Sequence, residues 1–205
     1  MRVGQAELDM QVPTLAHLVD RIAEVLPCRL GLKVGAEPGT TEDLLRDSGL
    51  AYAIFRNVLY MDAIAQFVGP NVLETGVISL PTGQGRVAFA LRSEMGEALA
   101  NWLLEGQYDN RIYKFTADRS CSFADIAATL SKLSGKEITY NAIEDSVFVD
   151  QLEARGTPKM MFARILGFLT DIKNGQEDEV SPELEQWLGR KPASLEVGLK
   201  ALFKL

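Results

Sequence analysis

The residues best suited to chemistry in this chain are four side chains that follow a short apolar run. The run predicts a buried strand over Leu50–Phe55, and Arg56, Asn57, Tyr60 and Met61 come directly after it. Parallel α/β sheets bind ligands at the carboxyl ends of their strands. We therefore expect these four residues to line a pocket, with Asn57 as a hydrogen-bonding group and Tyr60 as a stacking face or hydroxyl.

Each polar residue of this set also has a structural interpretation. Asn57 is a residue type that forms turns, and Tyr60 is a residue type that fills cores. Arg56 can hold an anionic group, yet an arginine at a strand end more often pairs with a neighbouring acid. The sequence leaves these alternatives open.

The familiar catalytic sets are missing from the sequence. None of the five tyrosines has a lysine four residues later, so the Tyr-x-x-x-Lys pair that transfers protons in classical short-chain dehydrogenases is absent. His17 is the only histidine, and Cys28 and Cys121 lack metal-ligand spacing. The catalytic residues stay unassigned, and no metal is expected.

Composition narrows the classes of partner. A chain of 205 residues with 47% hydrophobic residues can bury a substantial core. A net charge of −7 argues against nucleic acid and against anionic membrane surfaces, since both favour clustered Lys and Arg. The apolar run Leu15–Leu26 carries charged residues, which argues against a signal or membrane segment. We expect a cytoplasmic protein whose partner is neither nucleic acid nor a membrane.

Strand and helix patterns alternate along most of the chain. Ser122 and Asp125 have the spacing of a capping box, which predicts a helix that ends at Gly135. From Glu144 onward the pattern is helical. The fold class predicted is an α/β, incomplete Rossmann-like fold with a largely parallel sheet and a C-terminal helical substrate lobe. Further strands are predicted at Val77–Leu80, Val87–Leu91, Ile112–Phe115 and Glu137–Tyr140.

Residues around the first strand also match a known family. Together with Thr41-Glu42, Gly85-Arg86, Phe89-Ala90 and Arg92, the segment 48–62 resembles the NmrA-like atypical short-chain dehydrogenase/reductases, particularly the branch of NAD(P)H:quinone oxidoreductases. The resemblance covers about residues 40–205. It implies an NAD(P)H cofactor, hydride transfer from a positioned nicotinamide, and a quinone-like substrate.

The first 39 residues depart from that family pattern. The family opens with a glycine-rich turn that lets a dinucleotide pyrophosphate approach a helix N-terminus. Gly31–Gly35 and Gly83–Gly85 lack the third glycine and are predicted to be ordinary turns. We therefore expect two parts, 1–39 as an atypical N-terminal segment and 40–205 as the NmrA-like part, and we expect weak NAD(P)H binding.

Two other functions remain open at this point. One is a non-catalytic, redox-sensing regulator that binds a ligand or a partner, as some family members do. The other is that the chain derives from a shortened reading frame and has no function of its own.

Overall fold

The structure is a computed structural model that describes residues 41–69, 71–105 and 110–205. Several predictions concern residues outside these ranges. They are the helix over Pro13–Leu26, the strand over Arg29–Val34, the turn at Gly31–Gly35 and the surroundings of His17 and Cys28. The division of the chain at residue 39 also stays a prediction.

The first half of the described chain alternates short strands and helices. A helix ends near Gly49, whose φ of +72° is readily adopted only by a residue without a Cβ. In chain order the elements are α1 (Thr41–Asp47), β1 (Ala53–Asn57), a 3₁₀ turn (Met61–Ala63), α2 (Ile64–Val68), α3 (Val72–Thr75), β2 (Val77–Leu80), β3 (Arg86–Val87) and α4 (Arg92–Glu105).

The second half begins with strands and ends in helices. The predicted capping box forms between Ser122 and Asp125, and Gly135 ends that helix in the left-handed conformation. The elements are β4 (Arg111–Phe115), β5 (Cys121–Ser122), α5 (Phe123–Ser134), β6 (Thr139–Ala142), α6 (Asp145–Ala154), a 3₁₀ turn (Lys159–Met161), α7 (Phe162–Lys173), α8 (Glu183–Leu188) and α9 (Leu195–Phe203).

The strands of the described residues form three pairs. β1 and β4 are parallel, with Ala53 opposite Arg111 and Asn57 opposite Phe115. β2 and β6 are also parallel, whereas β3 and β5 are antiparallel. The prediction that the strand near Phe55 lies beside the Ile112–Phe115 strand in parallel is therefore confirmed.

Four of the five strands predicted within the described residues have different bounds in the structure; the strand predicted over Glu137–Tyr140, for instance, is observed over Thr139–Ala142. β1 ends at Asn57 rather than Phe55, because its pairing with β4 continues to Phe115, and Leu50 is 67% exposed. The strand predicted over Val87–Leu91 pairs with β5 at Val87, and Ala90 forms an isolated parallel bridge with Tyr60. Residues 88–90 are buried without alternation, since they are enclosed on both faces.

Aromatic side chains fill the space beside β1 and β4. The Phe55 ring stacks on Tyr113 at 5.1 Å between centroids and meets the edge of Trp102 at 5.0 Å. Phe115 meets Phe55 at 5.2 Å in an edge arrangement. Such pairs add about 0.5–1.5 kcal/mol each beyond the area they bury. They fix the two strands whose carboxyl ends lead into the site described below.

The turn over Gly83–Gly85 is present as predicted, with Gly85 donating its N–H to the Thr82 carbonyl at 2.9 Å. A Cβ at Gly85 would lie 2.1 Å from the Ile172 carbonyl oxygen. Close packing against α7 thus accounts for this glycine. Within the part of the chain that the structure describes, no helix is both long and apolar enough to cross a membrane.

Candidate functional site

The ends of β1 and β4 are joined by the buried segment 88–90. Met61, just after β1, donates its N–H to the Ala90 carbonyl at 2.8 Å. Ala117, just after β4, donates its N–H to the Ala88 carbonyl at 3.0 Å. These backbone hydrogen bonds fix Met61, Phe89 and Ala117 next to one another as an apolar floor.

A cleft of about 820 Å³ opens above this floor, within the size range of ligand pockets. We call its two sides the first wall and the second wall. The first wall consists of residues 118–121 and the facing side of α5 up to Lys132. The second wall consists of residues 191–196, which lead into α9. The cleft lies at the carboxyl ends of parallel strands, where α/β folds bind ligands.

The first wall is fixed by Arg86. Its guanidinium donates to the Ser120 carbonyl at 2.7 Å, to the Ser120 hydroxyl at 3.2 Å and to the Asp125 carboxylate at 3.2 Å. Asp125 also accepts the Ser122 backbone N–H at 2.8 Å as part of the capping box. The wall is therefore held by polar groups that are close to one another in the sequence, apart from Arg86.

Two groups of this wall have shifted pKa values. The hydrogen bond from the Ser122 backbone lowers the pKa of Asp125, so its carboxylate stays charged on the cleft side of α5. Burial raises the pKa of the Cys121 thiol to about 12, and the charge of Asp125 acts in the same direction. Cys121 is therefore a neutral thiol at physiological pH, unlike a nucleophilic cysteine.

The second wall is attached to α4 through the buried carboxylate of Glu94. The two Glu94 oxygens accept the Ala193 backbone N–H at 2.9 and 3.1 Å. Arg190 donates to Glu94 at 2.5 Å and to Glu97 at 2.7 Å. The Glu94 side chain is only 8% exposed. One carboxylate thus holds a chain segment that follows it by almost a hundred residues.

Charged side chains surround the mouth of the cleft. Lys132 of the first wall pairs with Glu196 of the second at 2.8 Å, which bridges the two walls. Arg119 lies 3.7 Å from the Asp118 carboxylate and is 83% exposed at its side chain. The floor is apolar and the mouth is polar, which suits a small ligand with an apolar ring and polar substituents.

Of the four residues predicted to line a pocket, Met61 lines the cleft. Arg56 forms a two-pronged ion pair with Glu42 of α1, at 3.0 and 2.6 Å, and this hydrogen bonding raises the pKa of Arg56. Tyr60 lies under the guanidinium of Arg92, 4.7 Å from its ring centroid. The ion pair is the structural alternative weighed for Arg56, and Tyr60 is partly buried against the core.

Asn57 occupies the last position of β1 and does not line the cleft. Its Oδ1 atom is buried and has no hydrogen-bond donor among the described residues. Buried acceptors are usually satisfied, so this atom is an exception that a ligand donor would resolve. Roles for Arg56, Asn57 and Tyr60 in ligand binding stay predictions.

The sequence reasoning missed Glu94, Arg190 and Ala193. Glu94 was interpretable as an acidic residue in the first turn of a helix, where it also favours the helix dipole. Nothing local links it to the Gly189-Arg190 turn. Among the described residues no group of three or more His, Cys, Asp or Glu side chains is arranged to hold a metal ion.

Comparisons with known proteins were made by sequence and by structure. No model of a known protein family matches the chain. By sequence, the chain is 27% identical over 165 residues to quinone oxidoreductase 2 of Escherichia coli, covering 80% of this chain and 57% of the relative. It is 23% identical over 155 residues to an NmrA-like family domain-containing oxidoreductase of Aspergillus flavus, covering 74% of this chain and 50% of the relative.

The fold matches solved structures of the same kind. The structure of the Escherichia coli NADPH-dependent quinone oxidoreductase in complex with NADPH aligns with a TM-score of 0.74 and 27% identity, over 79% of this chain and 57% of that one. The resemblance to the NmrA-like oxidoreductases is confirmed. The triphenylmethane reductase of Citrobacter in complex with NADP(H) aligns with a TM-score of 0.72 and 26% identity, over 79% and 56% of the two chains.

These neighbours also confirm the predicted Rossmann-like α/β class and the use of NAD(P)H by proteins similar to this chain. The chain spans about half the length of the curated relatives it matches. What the complete relatives do therefore enters as a proposal for this chain.

Proposed function

We propose that this chain provides the substrate-binding part of an NAD(P)H-dependent oxidoreductase that acts on small quinone-like compounds. The observation that carries the proposal is the cleft of about 820 Å³ at the carboxyl ends of β1 and β4. The similar proteins are named as a quinone oxidoreductase and a triphenylmethane reductase. An apolar floor between polar walls fits a ligand with an unsaturated ring and polar substituents.

The floor residues explain how such a ring would be held. Met61 and Phe89 are 1% and 2% exposed, and their backbones are fixed by the strand ends. A polarizable thioether and an aromatic ring make favourable contacts with flat π-systems. The polar mouth would orient the ring oxygens, while the walls exclude part of the solvent.

One group outside the cleft lining fits the carboxamide of the nicotinamide of NAD(P)H. Asn57 carries a buried acceptor oxygen without a donor among the described residues, and a carboxamide N–H is a donor of the required kind. When bound, NAD(P)H would supply a hydride that, with one proton from solvent, reduces a quinone by two electrons to the hydroquinone and leaves NAD(P)⁺. The chain's own residues would bind and orient the ring.

A substitution on an exposed position of α5 tests whether the cleft binds the substrate. Ala128 is exposed and lines the cleft, whereas Ala124 is exposed one turn earlier on the same helix and does not. Ala128→Trp should weaken binding of dimethoxymethylbenzoquinone, measured by equilibrium dialysis, by about tenfold because the indole occupies ligand space. Ala124→Trp serves as the matched control and should bind like the parent. Equal binding by both variants would contradict the proposal.

Calorimetric titration with NADPH tests cofactor binding separately from quinone binding. Without a glycine-rich turn, the sequence predicts a dissociation constant weaker than micromolar, since pyrophosphate would lack backbone N–H donors. A micromolar or tighter constant would show that another segment has taken that role. Quinone binding without NADPH-dependent turnover would favour the non-catalytic, ligand-sensing alternative.

A further inference from the structure

Met61 lies between two cavities. It lines the floor of the cleft, and it also lines a second cavity of about 290 Å³, which is otherwise bordered by Asp62, Leu91 and three residues of α9, namely Gly198, Ala201 and Leu202. Among the described lining residues, Met61 alone is shared by both cavities. The Met61 side chain is therefore a partition between the two spaces.

The backbone of this partition is fixed, but its side chain is not tied by polar contacts. The Met61 N–H is bound to Ala90, and residue 61 begins a 3₁₀ turn. The Met61 sulfur lies only 1.8 Å from the position that a Cβ at Gly198 would take, so the glycine leaves room for the thioether. Methionine is unbranched with three rotatable bonds and adapts its shape to neighbouring groups. The side chain can thus change rotamer without disturbing the turn.

The second cavity is suited to an apolar group. Leu91 and Leu202 are half-buried on its lining, and Gly198 and Ala201 add no polar side-chain atoms. The one charged residue, Asp62, already accepts the Arg92 backbone N–H at the start of α4 at 2.9 Å. At about 290 Å³ the cavity lies near the lower limit of ligand pockets, which run from about 300 to 1,000 Å³. It therefore fits a substituent of a ligand better than a whole ligand.

We propose that the second cavity is a subsite for an alkyl or prenyl side chain of a quinone whose ring lies in the cleft, and that Met61 determines access to it. The inference rests on the proposed function and names its substrate class as tailed quinones. Shortening Met61 would join the two cavities and favour ligands with a tail over ligands without one.

Two quinones with the same ring provide the test. The parent chain, Met61→Ala and Met95→Ala are titrated with dimethoxymethylbenzoquinone and with its decyl derivative, and the ratio of the two dissociation constants is measured. Met95 is the matched control because it is 3% exposed in α4 and lines neither cavity. Met61→Ala should raise the preference for the decyl compound by about fivefold or more over the parent, and Met95→Ala should leave it unchanged.

A second variant keeps the test decisive if Met61→Ala does not fold. Ala201 is exposed and lines the second cavity, so Ala201→Phe fills the subsite without creating a core void. The parent should prefer the decyl compound, and Ala201→Phe should lose that preference. Equal ratios in Met61→Ala and Met95→Ala, or an unchanged preference in Ala201→Phe, would overturn the inference. If the parent binds neither quinone, the proposed function itself fails and the subsite falls with it.

Discussion

The two walls of the cleft are held in place by different kinds of contact. In the first wall, the capping box joins Ser122 to Asp125 three residues later, and Arg86 reinforces it. In the second wall, the Ala193 backbone is held by Glu94, which lies on another element of the fold. The first wall therefore combines a local capping box with hydrogen bonds from Arg86, and the second depends on a distant carboxylate.

This difference matters for ligand binding. A wall with local hydrogen bonds keeps its shape when a distant residue changes, because the backbone N–H groups at its helix N-terminus are bound by side chains of the same wall. The second wall lacks such support before Ser194, whose side chain accepts the Val197 N–H at 3.3 Å. Substitutions at Glu94 and at Asp125 should therefore show whether a loss of quinone affinity comes from a changed cleft shape or from lower overall stability.

The largest effect is expected for Glu94→Gln. The buried carboxylate accepts hydrogen bonds from Arg190 and from the Ala193 N–H, and the amide can replace these only in part. Hydrogen bonds to charged groups contribute about 1.5–3 kcal/mol, so we expect unfolding free energy to fall by about 2 kcal/mol in urea titrations. Binding of dimethoxymethylbenzoquinone should weaken at least about fivefold as the second wall loosens.

Glu183→Gln is the matched control for that variant. The Glu183 side chain is 11% exposed and accepts the Lys114 N–H at 2.5 Å and an Arg111 guanidinium N–H at 2.7 Å, outside the cleft. It should lose similar stability and keep the parent's quinone affinity. If both variants lose affinity equally, the second wall is not specifically held by Glu94.

A smaller effect is expected for Asp125→Asn in the first wall. The substitution weakens the capping box and should lower the unfolding free energy by about 1 kcal/mol.

The same variant tests a pH dependence. In the parent, the pKa of Asp125 is lowered on folding, so its stabilising contribution is complete above the unfolded value of 3.8 and is lost as pH falls below it. Urea titrations near pH 6 and near pH 3 should therefore show a smaller acid-dependent loss in Asp125→Asn than in the parent. An equal loss in both would show that Asp125 does not carry this pH dependence.

The same distinction explains what the sequence could predict. The Ser122–Asp125 capping box and the parallel neighbours of β1 follow from local spacing and from apolar runs, and both predictions are confirmed. Met61 lines the cleft after a strand, and its role in ligand binding stays a prediction. The attachment of Ala193 to Glu94 could not be predicted, because a contact between residues so far apart leaves no pattern in either segment. Leu103 of α4 is apolar yet 41% exposed, since periodicity alone does not fix the width of a buried face.

The most local probe of the first wall is the reactivity of the Cys121 thiol, which can be measured without changing the stability of the parent. Burial raises the pKa of its thiol to about 12, so very little thiolate exists near neutral pH. Alkylation of the Cys121 thiol by iodoacetamide, measured by mass spectrometry of its peptide, should be slower than that of glutathione by about a hundredfold or more.

Asp125→Asn should speed this reaction, because it removes a negative charge that disfavours the thiolate and loosens the wall around it. Glu94→Gln should leave the rate unchanged if the first wall is independent of the second. A faster reaction in Glu94→Gln would mean that the two walls, bridged by Lys132 and Glu196, move together.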